Sequence, residues 1–177
     1  MKRILATLAL VVASGFIFAG GAKSTLVKSG SSDSDKTVIH FTTTDLDGNK
    51  VTEKIFADNK ITMINIWGTF CGPCINEMPD LGKLSEKYKS KGVEIVGVVC
   101  DVYDASQSAT AKSIVKKTGA NYRHLVTSLD LEYTLLKDVQ AVPTTIFVDS
   151  NGRQIGKTYV GSKSLSQWQS IIDSLLK

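Results

Sequence analysis

Along its middle and C-terminal portions the chain alternates two hydrophobic rhythms. Ile61–Ile66 and Val93–Val99 are apolar, β-branched runs of strand length, and Tyr122–Val126 is a shorter run of the same kind. Between and after them the apolar positions recur every three or four residues. Ile75, Met78, Leu81, Leu84 and Tyr88 predict a helix ending at Gly92, Ser106–Thr118 one stopped by Gly119, and Leu131–Lys137 a short third helix. Thr144–Val148 and Gln154–Val160 then flank Ser150-Asn151-Gly152, a strong hairpin signal. A closing helix starts at Ser164, spaced from Gln167 as in a capping box. Its Leu165, Trp168, Ile171, Ile172 and Leu175 form one apolar face, on which Trp168 reads as a core anchor. At the front, Val38–Thr43 and Lys50–Ile55 flank Asp47-Gly48, which reads as a two-residue hairpin turn; Asp45 and Asp47 lack the ligand spacing of a calcium loop.

This order predicts an α/β fold. Strand–helix–strand alternation calls for parallel strands joined by right-handed crossovers, and the final hairpin adds antiparallel ones. The expected result is a mixed central sheet flanked by helices on both faces and preceded by an N-terminal β-hairpin.

The polar and apolar pattern also divides the chain. Residues 1–22 read as a signal peptide or membrane anchor: Lys2 and Arg3 precede Ile4–Ala22, a charge-free run that would be about 28 Å long as a helix. That length suits an anchor, whereas Ala19-Gly20-Gly21-Ala22 offers the small residues of a cleavage site. Either way the basic start stays inside and the domain is delivered outside the cytoplasm. Residues 23–37, rich in Ser, Thr, Gly and Asp, read as a flexible linker, and 38–177 as one folded domain. The net charge of +4 belongs to the N-terminal part: Lys2, Arg3, Lys23 and Lys28 are unopposed within residues 1–29, and the 17 other basic residues match 17 acidic ones. No basic patch with interleaved aromatics points to nucleic acid.

The chemistry lies in the cysteines, of which there are three: Cys71, Cys74 and Cys100. Cys71 and Cys74 fall where the strand ending at Ile66 gives way to a helix. The free N–H groups of a helix N-terminus stabilise an anion and so acidify the first thiol. A two-residue gap closes a very small loop, so a disulfide there is better suited to opening and closing than to stapling. Zinc would need four ligands, and beyond this pair the chain offers only the distant His40 and His124; covalent haem would need a histidine where Ile75 stands. Reversible dithiol–disulfide exchange is the reading these residues support, without cofactor or metal. Cys71 would attack as a thiolate and Cys74, one step into the helix, would resolve the mixed disulfide. Pro73 suits the first helical turn, where a missing N–H costs nothing. Cys100 reads as a buried small hydrophobe, with an auxiliary redox role as the alternative. His40 and His124 read as structural.

Cys71-Gly72-Pro73-Cys74, with Pro79 five residues later and Val142-Pro143-Thr144 before a strand, resembles the thioredoxin fold. Asn65-Ile66-Trp67-Gly68-Thr69-Phe70 before the pair and Asn76-Glu77-Met78-Pro79 after it are similar to the TlpA/ResA group of membrane-anchored or exported thiol-disulfide oxidoreductases. The opening hairpin and an inserted helical segment around Asp101–Asn121 carry the same resemblance, which runs from Val38 to the C-terminus. It implies that Pro143 forms a cis-proline loop beside the cysteines and leaves the Val142 backbone free to pair with a substrate strand. It also implies that Glu77 tunes Cys74 or relays its proton; the alternative is a solvated acid near the helix dipole. The position that carries a buried proton-handling aspartate in thioredoxin is Asn65 here, which cannot titrate. Phe70 stands where relatives often have tryptophan. Trp67, Phe70, Gly72, Pro73 and Val142 are the expected substrate contacts.

What the resemblance implies for function is reduction of disulfides in exported proteins, such as the paired cysteines of apo-cytochrome c. A monomer would do this with electrons from a membrane thiol-transfer protein of the DsbD/CcdA kind. A thiol peroxidase and a copper-binding thioredoxin-fold carrier are the alternative functions.

Overall fold

Apolar runs long enough to be buried on both faces become the central strands. A computed structural model of the chain describes residues 38–177; the segments 1–22 and 23–37 lie outside the described residues. Strand β3 (Ile61–Trp67) is buried at every position and forms the middle of a five-stranded sheet. It pairs in parallel with β4 (Val93–Val99) on one side and antiparallel with β6 (Thr144–Asp149) on the other. Strand β5 (Arg123–Val126) extends the parallel side, and β7 (Gln154–Val160) the antiparallel side, giving the order β5-β4-β3-β6-β7. This is the expected mixed sheet.

Alternation along β3 sorts its side chains between two cores. Ile61, Met63 and Trp67 pack under α1 (Gly72–Lys89), α2 (Ala109–Thr118) and α4 (Leu165–Leu175), whereas Ile64 and Ile66 face the other layer. On the first side Met78, Leu81 and Leu84 of α1 are fully buried, a stripe that contributes about 2 kcal/mol per side chain. Trp168 is fully buried there as well, in the anchor role expected of it. The other side is covered by Ile39, Phe41, Val51 and Phe56 from the N-terminal segment and by Leu131 and Leu135. The last two belong to or follow the short helix α3 (Leu129–Thr134).

Five local expectations need correction. The first strand, expected over Val38–Thr43, covers Thr42–Thr44, and the helix expected over Ser106–Thr118 is a 3-10 turn, Ala105–Gln107, followed by α2 from Ala109. The opening hairpin, β1 (Thr42–Thr44) with β2 (Lys50–Thr52), has Asp45–Asn49 as its loop rather than a two-residue turn. The Asp45 carboxylate accepts bonds from the backbone N–H groups of Asp47 and Asn49, at 3.0 and 2.9 Å, and this closes the wider loop. The second strand stops at Thr52, whose hydroxyl caps a 3-10 turn over Glu53–Phe56. The helix expected over Leu131–Lys137 instead starts at Leu129, because the Ser128 side chain accepts from the Leu131 N–H and sets the start earlier.

Candidate active site

Strand β3 delivers the cysteines through a pinned loop. Thr69 donates its backbone N–H to Asp101 Oδ1 at 3.0 Å, and its hydroxyl also bonds that carboxylate, so the segment before the cysteines is tied to the end of β4. Phe70 is turned outward and is 72% exposed. Cys71 is the N-cap of α1: its Sγ accepts from the Cys74 N–H at 3.2 Å. The two cysteines form a disulfide with Cα atoms 5.3 Å apart. Gly72 and Pro73 between them are exposed. Both cysteines are largely buried, Cys71 at 6% exposure and Cys74 at 2%.

Beside the pair runs the Val142–Pro143 segment, whose peptide bond is cis. Cys71 Sγ lies 3.5 Å from the Val142 carbonyl oxygen. Pro143 is buried, and its carbonyl accepts from the Gly161 N–H at 2.8 Å, which ties this segment to the end of β7. Half-buried Val142 thus presents backbone next to the disulfide.

Glu77 is not a solvated surface acid. Three residues after Cys74 and close to the same face of α1, it is 4% exposed and accepts a hydrogen bond from Trp168 Nε1–H of α4. Burial raises its pKa from 4.5 to about 7, against the opposing effects of the Trp168 bond and of Lys163. Asn65, under the same helix layer, is 1% exposed and donates from Nδ2 to Thr145 Oγ1 at 3.0 Å. The titratable carboxyl close to the cysteines therefore comes from the helix and not from the strand.

Trp67 does not fit its expected role as a substrate contact. Its side chain is fully buried and donates from Nε1 to His124 Nδ1 at 3.1 Å. The reason is the alternation of β3, which turns Trp67 with Met63 toward the helix layer while Phe70, past the strand end, turns out. His124 is structural, as expected: it is 4% exposed, its Nε2–H donates to the Ala120 carbonyl at 2.9 Å, and burial lowers its pKa to about 4. Gly97 leaves room for it, since a Cβ there would sit 2.2 Å from His124 Nδ1. His40, by contrast, is exposed and packs in neither core.

Cys100 is also less buried than expected. It is half-buried, its thiol is free, and burial together with the Asp101 charge pushes its pKa upward. It lines an open cleft of about 670 Å³ with Phe70, Tyr103, Leu136, Val139 and Val142. Sequence reasoning missed this cleft, because Tyr103 and Val139 come from loops without hydrophobic periodicity. It also missed the contact between Trp168 and Glu77, which are 91 positions apart.

The Redoxin family model matches residues 30–174. A thiol-disulfide oxidoreductase ResA of Bacillus cereus is 30% identical over 168 residues, which cover 90% of this chain and 91% of that protein. The ResA of Bacillus thuringiensis subsp. konkukian is 35% identical over 118 residues, or 66% of this chain and 64% of the relative. Among solved structures, a thiol:disulfide interchange protein of the thioredoxin family from Chlorobium tepidum superposes with a TM-score of 0.68 at 21% identity, covering 80% of this chain and 97% of that one. The chain belongs to the Redoxin family, among the thioredoxin-fold thiol-disulfide oxidoreductases of the ResA/TlpA kind.

Proposed function

We propose that the protein is a thiol-disulfide oxidoreductase that works outside the cytoplasm and reduces disulfides in exported proteins. The observation that carries this reading is the Cys71–Cys74 disulfide at the N-terminus of α1, with the Val142 carbonyl 3.5 Å from Cys71 Sγ. Location rests on the basic and apolar pattern of residues 1–22.

In the reduced enzyme Cys71, the less buried of the two cysteines and the one at the helix cap, attacks the client disulfide as a thiolate. One client sulfur leaves with the electron pair, and a mixed disulfide forms through Cys71. Cys74 gives up its proton, attacks Cys71 Sγ and releases the second client sulfur, which restores the Cys71–Cys74 bond. Glu77 takes the Cys74 proton at neutral pH; its pKa near 7 and its position one helical turn after Cys74 support this role. The client chain lies along Val142, supported by Phe70 and by the exposed Gly72-Pro73 backbone. Pro143 keeps an N–H donor out of that contact. Clients with closely paired cysteines, of which apo-cytochrome c is one example, suit a two-step exchange at a single site. Electrons return through a membrane thiol-transfer protein of the DsbD/CcdA kind.

Equilibration of the Cys71–Cys74 couple against a reference dithiol tests the direction. A reductant should have a potential close to that of thioredoxin, about −270 mV. A value near that of a strong oxidant, about −120 mV, would reverse the proposed electron flow.

A further inference from the structure

The two oxygens of Glu77 are in different situations. Oε1 accepts from Trp168 Nε1–H, whereas Oε2 is buried without a hydrogen-bond partner. With Glu77 at 4% exposure and Trp168 at 0%, bulk water does not level the difference. An unpartnered buried polar atom destabilises the fold, so packing alone does not explain a carboxyl here. An indole N–H can only donate. Oε1 is therefore an acceptor whether Glu77 is ionised or not, and this favours Oε2 as the seat of a proton bound by Glu77.

We propose that Trp168 is a positioning residue for disulfide exchange: by holding Glu77 Oε1, it makes Oε2 the oxygen that takes the Cys74 proton. This rests on the proton-relay reading of Glu77. In the resolving step the Cys74 S–H proton passes to Oε2, and the thiolate attacks Cys71 Sγ in the mixed disulfide. The Cys71–Cys74 bond forms, the client sulfur leaves with its electron pair, and Oε2–H returns its proton to that thiolate or to water.

Other groups facing Glu77 modulate this exchange without replacing Trp168. Asp80 on the same helix opposes ionisation of Glu77, while the ammonium of Lys163, just before α4, favours it. Lys163 Nζ also lies 5.6 Å from the centre of the Trp168 ring. The buried phenol of Tyr122, unpartnered as well, feels the same carboxyl from the segment before β5. Cys74 completes the set, one helical turn before Glu77 on α1.

The test is the pH dependence of mixed-disulfide resolution, followed by stopped flow in the wild type, Trp168→Phe and Glu77→Gln. Phenylalanine keeps an aromatic ring against Phe147 and Tyr159 and deletes the donor. The N–H stabilises the carboxylate, so its loss should move the midpoint up by about 1 in pH and slow resolution several-fold at pH 7. If Glu77→Gln leaves the profile unchanged, the proton-relay reading fails and the role of Trp168 fails with it. If Glu77→Gln flattens the profile while Trp168→Phe leaves the midpoint at its wild-type value, Glu77 keeps its role and that of Trp168 is overturned. A second readout needs no folded Trp168 variant. The Trp168 indole N–H resonance of the reduced wild type should titrate near pH 7 and stop titrating in Glu77→Gln; an indole signal that is flat in both would overturn the proposal.

Discussion

The carbonyl oxygen of Val142 lies 3.5 Å from Cys71 Sγ, in the wall of a cleft that Phe70 also lines. A chain lying along Val142 therefore passes the attacking sulfur, with the exposed Phe70 ring lining the same cleft. Because Phe70 is 72% exposed, Phe70→Ala should change unfolding free energy by no more than about 0.5 kcal/mol. The same substitution should lower kcat/KM for a peptide disulfide by about tenfold, mainly through KM. Denaturant titration and steady-state kinetics on one preparation check both halves.

The pairing of Trp67 with His124 depends on the missing side chain at Gly97. An alanine Cβ there would lie 2.2 Å from His124 Nδ1 and 3.0 Å from Trp67 Nε1, so the buried bond must break or the strand must move. Gly97→Ala should cost about 1–3 kcal/mol, read as a lower urea midpoint with an unchanged slope.

Glu77 and His124 give stability opposite pH slopes. Burial raises the Glu77 pKa to about 7 from 4.5, so the folded state holds a proton that the unfolded chain releases. Its contribution is present below pH 4.5 and lost as pH rises through 7. Burial lowers the His124 pKa to about 4 from 6.5, so its contribution is present above pH 6.5 and lost as pH falls through 4. Across pH 4.5–6.5 the two oppose each other, each worth at most about 3 kcal/mol. Glu77→Gln should unmask a stability that climbs with pH up to about 6.5, measured by denaturant titration across the range.

The sheet and the cysteine site were legible because both are local patterns. Ile61–Ile66 and Val93–Val99 are apolar runs that only buried strands satisfy, and a dithiol at a strand-to-helix turn has few other chemical uses. Trp67 is buried rather than at the substrate face, because nearness to Cys71 along the chain says nothing about which face a strand residue takes. The alternation of Ile61, Met63, Asn65 and Trp67 carries that information, and all four share the helix-layer face. Phe70 lies past the strand, where alternation no longer applies. The bond from Trp168 to Glu77 joins neighbouring helices that are 91 positions apart along the chain, and no spacing within either helix encodes it. The second strand stops early because the Thr52 side chain binds nearby backbone and competes with strand pairing, and the first starts late because Val38 and Ile39 pair with Arg153 and Gly152 instead.

Trapping with the Cys74→Ala protein tests the central claim most directly. Incubation with a disulfide-containing peptide, followed by mass-spectrometric mapping, should find a stable mixed disulfide on Cys71. Cys71→Ala should yield none under the same conditions. Adducts formed through Cys74 in Cys71→Ala, or through Cys100 while Cys71 stays free, would contradict the assignment of Cys71 as the attacking thiol.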